Sequence, residues 1–185
     1  MIDQINPRAR RDAFGSKINR DHSPLLAYSV PWISVLLFSL TPMLPIIAPA
    51  PVMPPLSYMM MLAWRLMRPG LLPLWAGLPL GAVDDLFSGQ PFGSGILLFS
   101  LTLLAADFLD VRFPWRGFWQ DWMIATLMVA AYLASAAVFS GAELKTPLLT
   151  ALGPQLLLSV LAFPIIARMV SLLDRLRLLR IRRVG

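Results

Sequence analysis

Six apolar stretches, separated by short polar, proline-containing or glycine-containing breaks, occupy most of this chain. They cover residues 25–47, 52–66, 71–87, 92–109, 122–140 and 148–170. A bilayer has a hydrocarbon core of about 30 Å, which a helix of roughly 20 apolar residues spans. Because 57% of the residues are hydrophobic and only 14% are charged, the composition excludes an ordinary soluble domain. We therefore predict an all-α integral membrane protein with about six transmembrane helices.

The second and third stretches are shorter than the others. We expect limited tilt, local thinning of the bilayer or partial burial inside the bundle to accommodate them. Prolines within the stretches are compatible with membrane helices where neighbouring groups satisfy the carbonyls that they free. The sequence predicts three parts: a basic cytoplasmic tail (1–23), a six-helix transmembrane domain (24–171) and a basic amphipathic cytoplasmic end (172–185).

The basic residues are distributed unevenly along the chain. With the N-terminus in the cytoplasm, all sixteen lysines and arginines except Lys145 fall in cytoplasmic segments. The positive-inside rule predicts this asymmetry for an even number of crossings. We therefore predict a multi-pass protein with both termini cytoplasmic and Lys145 on the outer side. The net charge of +6 then reflects topology, and we expect no nucleic-acid binding because no groove-reading pattern accompanies the arginines.

At the C-terminal end, leucines recur at helical spacing and arginines lie among them. The leucines are Leu172, Leu173, Leu176 and Leu179, and the arginines are Arg175, Arg177, Arg180, Arg182 and Arg183. One interpretation is that the sixth helix continues along the inner leaflet with its arginines near anionic phospholipids. The other is a solvated basic tail that only fixes the topology. The sequence leaves both interpretations open.

No arrangement of residues predicts catalysis, and we expect no enzyme activity, cofactor or metal. The chain has no cysteine and one histidine, His22. Asp84 and Asp85 fall at the outer end of the third stretch, whereas Asp107 and Asp110 fall at the inner end of the fourth. The two acidic pairs are thus separated by most of the hydrocarbon core and cannot share a proton as a protease dyad does. We expect Asp107 and Asp110 to pair with the arginines that follow them.

Asp84 and Asp85 have no basic neighbour in sequence, and a glycine-rich turn follows them. One of these carboxylates could accept backbone N–H bonds across the turn, because Gly89 and Gly93 allow backbone conformations closed to other residues. The alternative is direct contact with a partner protein. The sequence does not decide between the two roles, nor which aspartate is the important one.

This stretch resembles the signature of the rod shape-determining protein MreD family. The features that carry the resemblance are a glycine-containing apolar helix, an aspartate and a Gly-x-Pro-x-Gly turn: Pro69, Gly77, Gly81, Asp84 or Asp85, Gly89, Pro91 and Gly93. The length of the chain, its basic ends and its number of apolar stretches agree with the family as well. The resemblance implies a non-enzymatic scaffold in the bacterial inner membrane. It would bind the bitopic protein MreC and, through it, link MreB filaments to peptidoglycan synthases in cell elongation.

The MreD family is also similar in fold to the six-helix substrate-binding subunits of energy-coupling-factor transporters. That similarity implies an alternative function, a membrane-embedded solute-binding subunit of a small-molecule transporter. Such a subunit needs several polar groups that converge on a pocket. The apolar stretches offer mostly Ser, Thr, Trp, Tyr and Met, which favours the scaffold.

Overall fold

The computed structural model describes residues 20–22, 24–44, 53–113, 115–141, 146–178 and 180–182. The predictions made for residues 1–19, Lys145 and Arg183 concern residues outside these ranges. Six helices form the body of the molecule: α1 (Pro24–Ser39), α2 (Leu56–Met67), α3 (Gly77–Ser88), α4 (Ser94–Arg112), α5 (Phe118–Phe139) and α6 (Thr146–Arg177). Apart from one short strand pairing, the predicted all-α architecture is confirmed.

Four of the six helical segments are long and apolar enough to cross a bilayer. These candidate spans are Leu26–Met43, Ser94–Arg112, Phe118–Phe139 and Leu152–Arg177. Helices α2 and α3 have 12 residues each, which is about 18 Å at 1.5 Å per residue. They are shorter than the hydrocarbon core of about 30 Å. Among the described residues, the structure thus has four candidate spanning segments and two short helices.

Helix α2 lies at the centre of the bundle. Every residue from Ser57 to Leu66 is buried, and the helix packs against α1, α4, α5 and α6. Residues 59–64 of this helix are all apolar, which is typical of such a central position. Tyr58 stacks on Tyr132 of α5 with ring centroids 4.1 Å apart. Burial inside the bundle, one of the options expected for the short stretches, is therefore what happens to α2.

We call the two ends of the bundle the basic end and the hairpin end. The basic end holds the starts of α1 and α5 and the ends of α2, α4 and α6. The hairpin end holds the turn between α3 and α4. Every arginine that the structure describes lies at the basic end or in the strands next to it. Strands β1 (Arg20–His22) and β2 (Arg180–Arg182) pair antiparallel there, so both ends of the described chain lie together.

The C-terminal segment is helical only up to Arg177. Helix α6 continues without a break through residue 171, where the sequence placed a boundary, and the chain then enters β2. Of the two interpretations of the C-terminal end, a helix that continues along the inner leaflet does not extend to Arg180–Arg182, which form β2. Leu172 and Leu176 are 57% and 53% exposed, as expected for side chains that face lipid. Arg177 instead turns inward, because its guanidinium pairs with Asp174.

Pro31, Pro154 and Pro164 lie inside helices α1 and α6. For two of them, Pro31 and Pro164, a side chain from another helix satisfies the carbonyl group that the proline frees. Pro164 of α6 cannot donate to the carbonyl of Val160 four residues before it. The indole Nε1 of Trp122, on α5, donates to that oxygen at 3.1 Å. Pro31 of α1 likewise frees the carbonyl of Ala27, and Nη1 of Arg177 donates to it at 3.4 Å. The helices are therefore held together partly by the repair of their own proline breaks.

Replacing Trp122 by Phe should lower the free energy of unfolding by about 1–3 kcal/mol, because the Val160 carbonyl is left without a donor. In a Pro164→Ala background the same change should cost less than about 1 kcal/mol, since residue 164 then supplies the N–H itself. Reversible unfolding in mixed detergent micelles measures both values. An equal cost in the two backgrounds would show that the indole bond has no connection with the proline.

Candidate functional site

Helices α3 and α4 approach each other too closely for a side chain to fit between them. A Cβ at Gly81 would lie 2.6 Å from the Gly95 carbonyl oxygen and 2.6 Å from the Ile96 Cα. A Cβ at Gly77 would lie 2.7 Å from the Ser100 Cα. Gly77 and Gly81 are one helical turn apart on the same face of α3. They form the small-xxx-small pattern that lets membrane helices pack backbone to backbone.

Two glycines with positive φ form the turn between these helices. Gly89 has φ +70° and ends α3, and Gly93 has φ +102° and precedes α4. A left-handed glycine is a common stop for a helix because it has no Cβ to strain. The Pro91 carbonyl accepts the Ser94 N–H at 3.1 Å, which closes the turn. The spacing of the Gly-x-Pro-x-Gly motif is thus a requirement of this backbone path.

Asp85 holds the turn from the inside. Its carboxylate accepts N–H groups from Gly93 at 2.8 Å, Gly95 at 2.7 Å and Ile96 at 3.3 Å. The first N–H groups of a helix have no partner within that helix, and a negative charge there also suits the helix dipole. Since Gly93 has no side chain to cap α4, Asp85 of the neighbouring helix does so. The backbone bonding predicted across the hairpin is present, and Asp85 makes it.

Asp84 points to a different neighbour. It is 5% exposed, and the hydroxyl of Ser57 on α2 donates to its carboxylate. Ser39 of α1 lies beside the same group. Adjacent residues of a helix point about 100° apart, so one aspartate faces α4 while the other faces α1 and α2. Asp84 thereby attaches the hairpin to the central helix.

The sequence contained a signal that distinguishes the two aspartates. Asp85 follows Gly77 and Gly81 at intervals of four residues, which puts it on the glycine face of α3. That face meets α4. Gly95 was not selected from the sequence, yet a Cβ there would lie 2.6 Å from Oδ1 of Asp85. Gly95 thus belongs to the same site as the motif residues predicted from the sequence.

A network of ion pairs crosses the basic end. Arg65 of α2 is buried and binds Asp107 at 2.9 Å and Asp110 at 2.5 Å. Arg116 binds Asp110 and also Asp121, the latter at 3.0 Å. The predicted pairing of Asp110 with Arg116 is confirmed. The predicted pairing of Asp107 with an arginine that follows it is wrong, because Asp107 pairs with Arg65 of α2 instead.

A second ion-pair cluster attaches α2 to α6. Asp174 is 5% exposed and accepts bonds from both Arg68 and Arg177. The central helix is therefore joined through charged groups to α4 and α6 at the basic end, and through Ser57 to α3 at the hairpin end. The local sequence does not show the connections at either end, because the bonded residues are far apart along the chain.

The two acidic regions are well separated. Asp85 touches Gly95, whereas Asp107 lies twelve residues further along α4, about 18 Å away at 1.5 Å per residue. The aspartates therefore cannot form one dyad. Within the described ranges, the structure shows no group of three or more His, Cys, Asp or Glu residues arranged to hold a metal ion. The bonds of Asp85 across the hairpin hold a fixed turn at one surface of the bundle.

Comparison with known proteins adds no assignment: no family model, curated protein or solved structure matches this chain. The resemblance to the MreD family therefore depends on the hairpin residues, the length and the charge pattern. The likeness to six-helix transporter subunits stays a prediction for the same reason.

Replacing Gly81 by Ala should lower the free energy of unfolding by about 1–3 kcal/mol, because the added methyl group meets backbone atoms that cannot move alone. Gly117→Ala is the control, since a Cβ there meets nothing within 4 Å; its cost should stay below about 1 kcal/mol. Hydrogen exchange should accelerate at Gly93, Gly95 and Ile96 in Gly81→Ala only. Equal stability of the two variants would contradict the close packing of α3 on α4.

Proposed function

We propose that this protein is a non-enzymatic scaffold of the bacterial inner membrane. It binds an MreC-like bitopic protein and supports cell elongation and peptidoglycan synthesis, with MreB filaments as an indirect partner. The observation that carries the proposal is the hairpin. Asp85 and the glycines at 77, 81, 89, 93 and 95 form a single unit that fixes one turn. A turn fixed in this way presents the same surface to a partner at all times, which lowers the entropy that binding costs.

The tip of the hairpin is the contact surface in this proposal. Phe92 is 70% exposed and Leu86 is 67% exposed, and both flank the turn. Large aromatic side chains are frequent anchors in protein interfaces. With the basic end in the cytoplasm, as the positive-inside rule favours, the tip lies on the periplasmic side. There it meets the membrane-proximal part of a bitopic partner.

The alternative, a solute-binding subunit, draws on buried polar groups near the hairpin end. Tyr58 shares a hydrogen bond of 2.9 Å with Thr102, and Ser57 bonds to Asp84. These groups satisfy one another, so they do not converge on an open pocket. The large cavity that the described residues form lies at the opposite end. The scaffold is the better supported of the two functions.

The proposed orientation can be tested with reporter fusions. Fusions after residue 185 and before residue 1 should report the cytoplasm, and a fusion in the α5–α6 connection near Lys145 should report the periplasm. The physical reason is the concentration of arginines at one end of the bundle. A periplasmic signal from the C-terminal fusion would exclude both the orientation and the periplasmic position of the hairpin tip.

Purified protein in nanodiscs should bind the transmembrane and membrane-proximal part of an MreC-like protein. Phe92→Ala should weaken this binding about tenfold or more while leaving the melting temperature unchanged, because truncation of an interface anchor costs roughly 2 kcal/mol. Leu157→Ala is the matched control, since Leu157 is 61% exposed on α6. Pull-down and thermal melting are measured on the same samples.

Asp85→Ala distinguishes the two roles of the acid in the same assay. If Asp85 acts by holding the turn, melting temperature and partner binding should fall together. Normal stability with lost binding would identify direct contact instead. Folded wild-type protein that retains no partner would overturn the scaffold proposal in favour of the solute-binding subunit.

A further inference from the structure

A cavity of about 1030 Å³ opens at the basic end, between α2, the α4–α5 connection, α5 and α6. It is at the upper limit of the roughly 300–1,000 Å³ typical of ligand pockets. Its apolar walls include Leu66, Phe113, Phe163 and Ile165. The cavity shares no residue with the hairpin, so the proposed scaffold contact does not account for it.

Arg116 lines this cavity with an unused donor. Its side chain is 8% exposed. The Nε and Nη2 atoms bind Asp121 and Asp110, but the buried Nη1 atom has no partner. A buried donor without an acceptor is costly, and a guanidinium carries its donors in a rigid fork that cannot turn away. The N–H on Nη1 is therefore available to an acceptor that comes from outside the chain.

Arg168 of α6 lines the same cavity and gives it a second positive charge. The side chain is exposed, and no ion pair involves it within the described ranges. The two aspartates in the lining, Asp110 and Asp121, are already bonded to arginines. The donors that remain available are thus guanidinium groups. These groups bind phosphate oxygens through charge-assisted hydrogen bonds.

The walls show what kind of phosphate compound fits. Ile165 is 70% exposed and Phe118 is 53% exposed, and both belong to helices that are candidate membrane spans. The cavity therefore opens sideways toward lipid, with its arginines at the end where headgroups lie. An inorganic anion would leave these apolar walls without contacts, whereas an acyl chain would cover them.

We propose that this cavity binds one anionic phospholipid molecule, with its phosphate on Arg116 Nη1 and Arg168 and an acyl chain along Phe163 and Ile165. The site is distinct from the terminal arginines Arg175 to Arg183, for which the sequence leaves open surface attraction to headgroups or a solvated tail. It is also independent of the scaffold proposal, because it lies at the opposite end of the bundle. A lipid bound here joins α2, α5 and α6 at their basic ends.

Native mass spectrometry of the full-length protein in mild detergent tests the site. The probes are dioleoylphosphatidylglycerol, dioleoylglycerol with the same chains but no phosphate, and inorganic phosphate. One phosphatidylglycerol should bind with an affinity at least about tenfold above dioleoylglycerol, as loss of a charged hydrogen bond is typically worth that factor. Inorganic phosphate at equal concentration should not displace it.

Arg168→Gln should lower the affinity for phosphatidylglycerol about tenfold. Arg175→Gln is the matched control, an exposed arginine of the same helix outside the cavity, and it should change the affinity less than about twofold. An equal loss of affinity in the two variants would show that binding depends on surface charge alone, and it would overturn the proposal. Displacement by inorganic phosphate, or equal binding of dioleoylglycerol, would overturn it as well.

Discussion

Backbone polar groups that a helix cannot pair for itself must find partners within the protein, because hydrocarbon offers none. This constraint explains the contacts that hold the bundle together. Asp85 takes up the free N–H groups at the start of α4. Trp122 takes up the carbonyl that Pro164 releases, and Arg177 the one that Pro31 releases. In each case the donor or acceptor comes from another helix, so a local break in hydrogen bonding becomes a tertiary contact.

The central helix connects the two ends of the molecule. At the hairpin end, Ser57 of α2 bonds to Asp84 of α3. At the basic end, Arg65 of the same helix bonds to acids on α4, and Arg68, which directly follows the helix, bonds to Asp174 of α6. Because α2 is buried on all sides, a shift of the hairpin would have to move it against close-packed neighbours, and interiors of this density resist small displacements. A rigid hairpin is what the scaffold proposal requires.

The two ends differ in chemistry, and the proposed functions follow that difference. The hairpin end presents a fixed glycine-rich turn with exposed apolar side chains, suited to a protein partner. The basic end presents arginines and a large apolar cavity, suited to lipid headgroups and chains. Between them, buried polar groups near the hairpin end bond to one another, as Tyr58 does to Thr102 and Ser57 to Asp84. This internal satisfaction is the main physical reason to prefer a scaffold over a solute-binding subunit.

The sequence by itself determined the helical class, the approximate positions of the apolar helices and the placement of the arginines at one end. These features depend only on the order of apolar and charged residues along the chain. It also predicted an acid bonded across the turn after Gly89. Only the tertiary structure decided that Asp85 and not Asp84 makes those bonds, that Arg65 reaches Asp107, and that α2 is the core. Each of these depends on which face of a helix meets which neighbour. That choice is made by packing between residues that can be more than a hundred positions apart, such as Arg68 and Asp174, and no local pattern contains it.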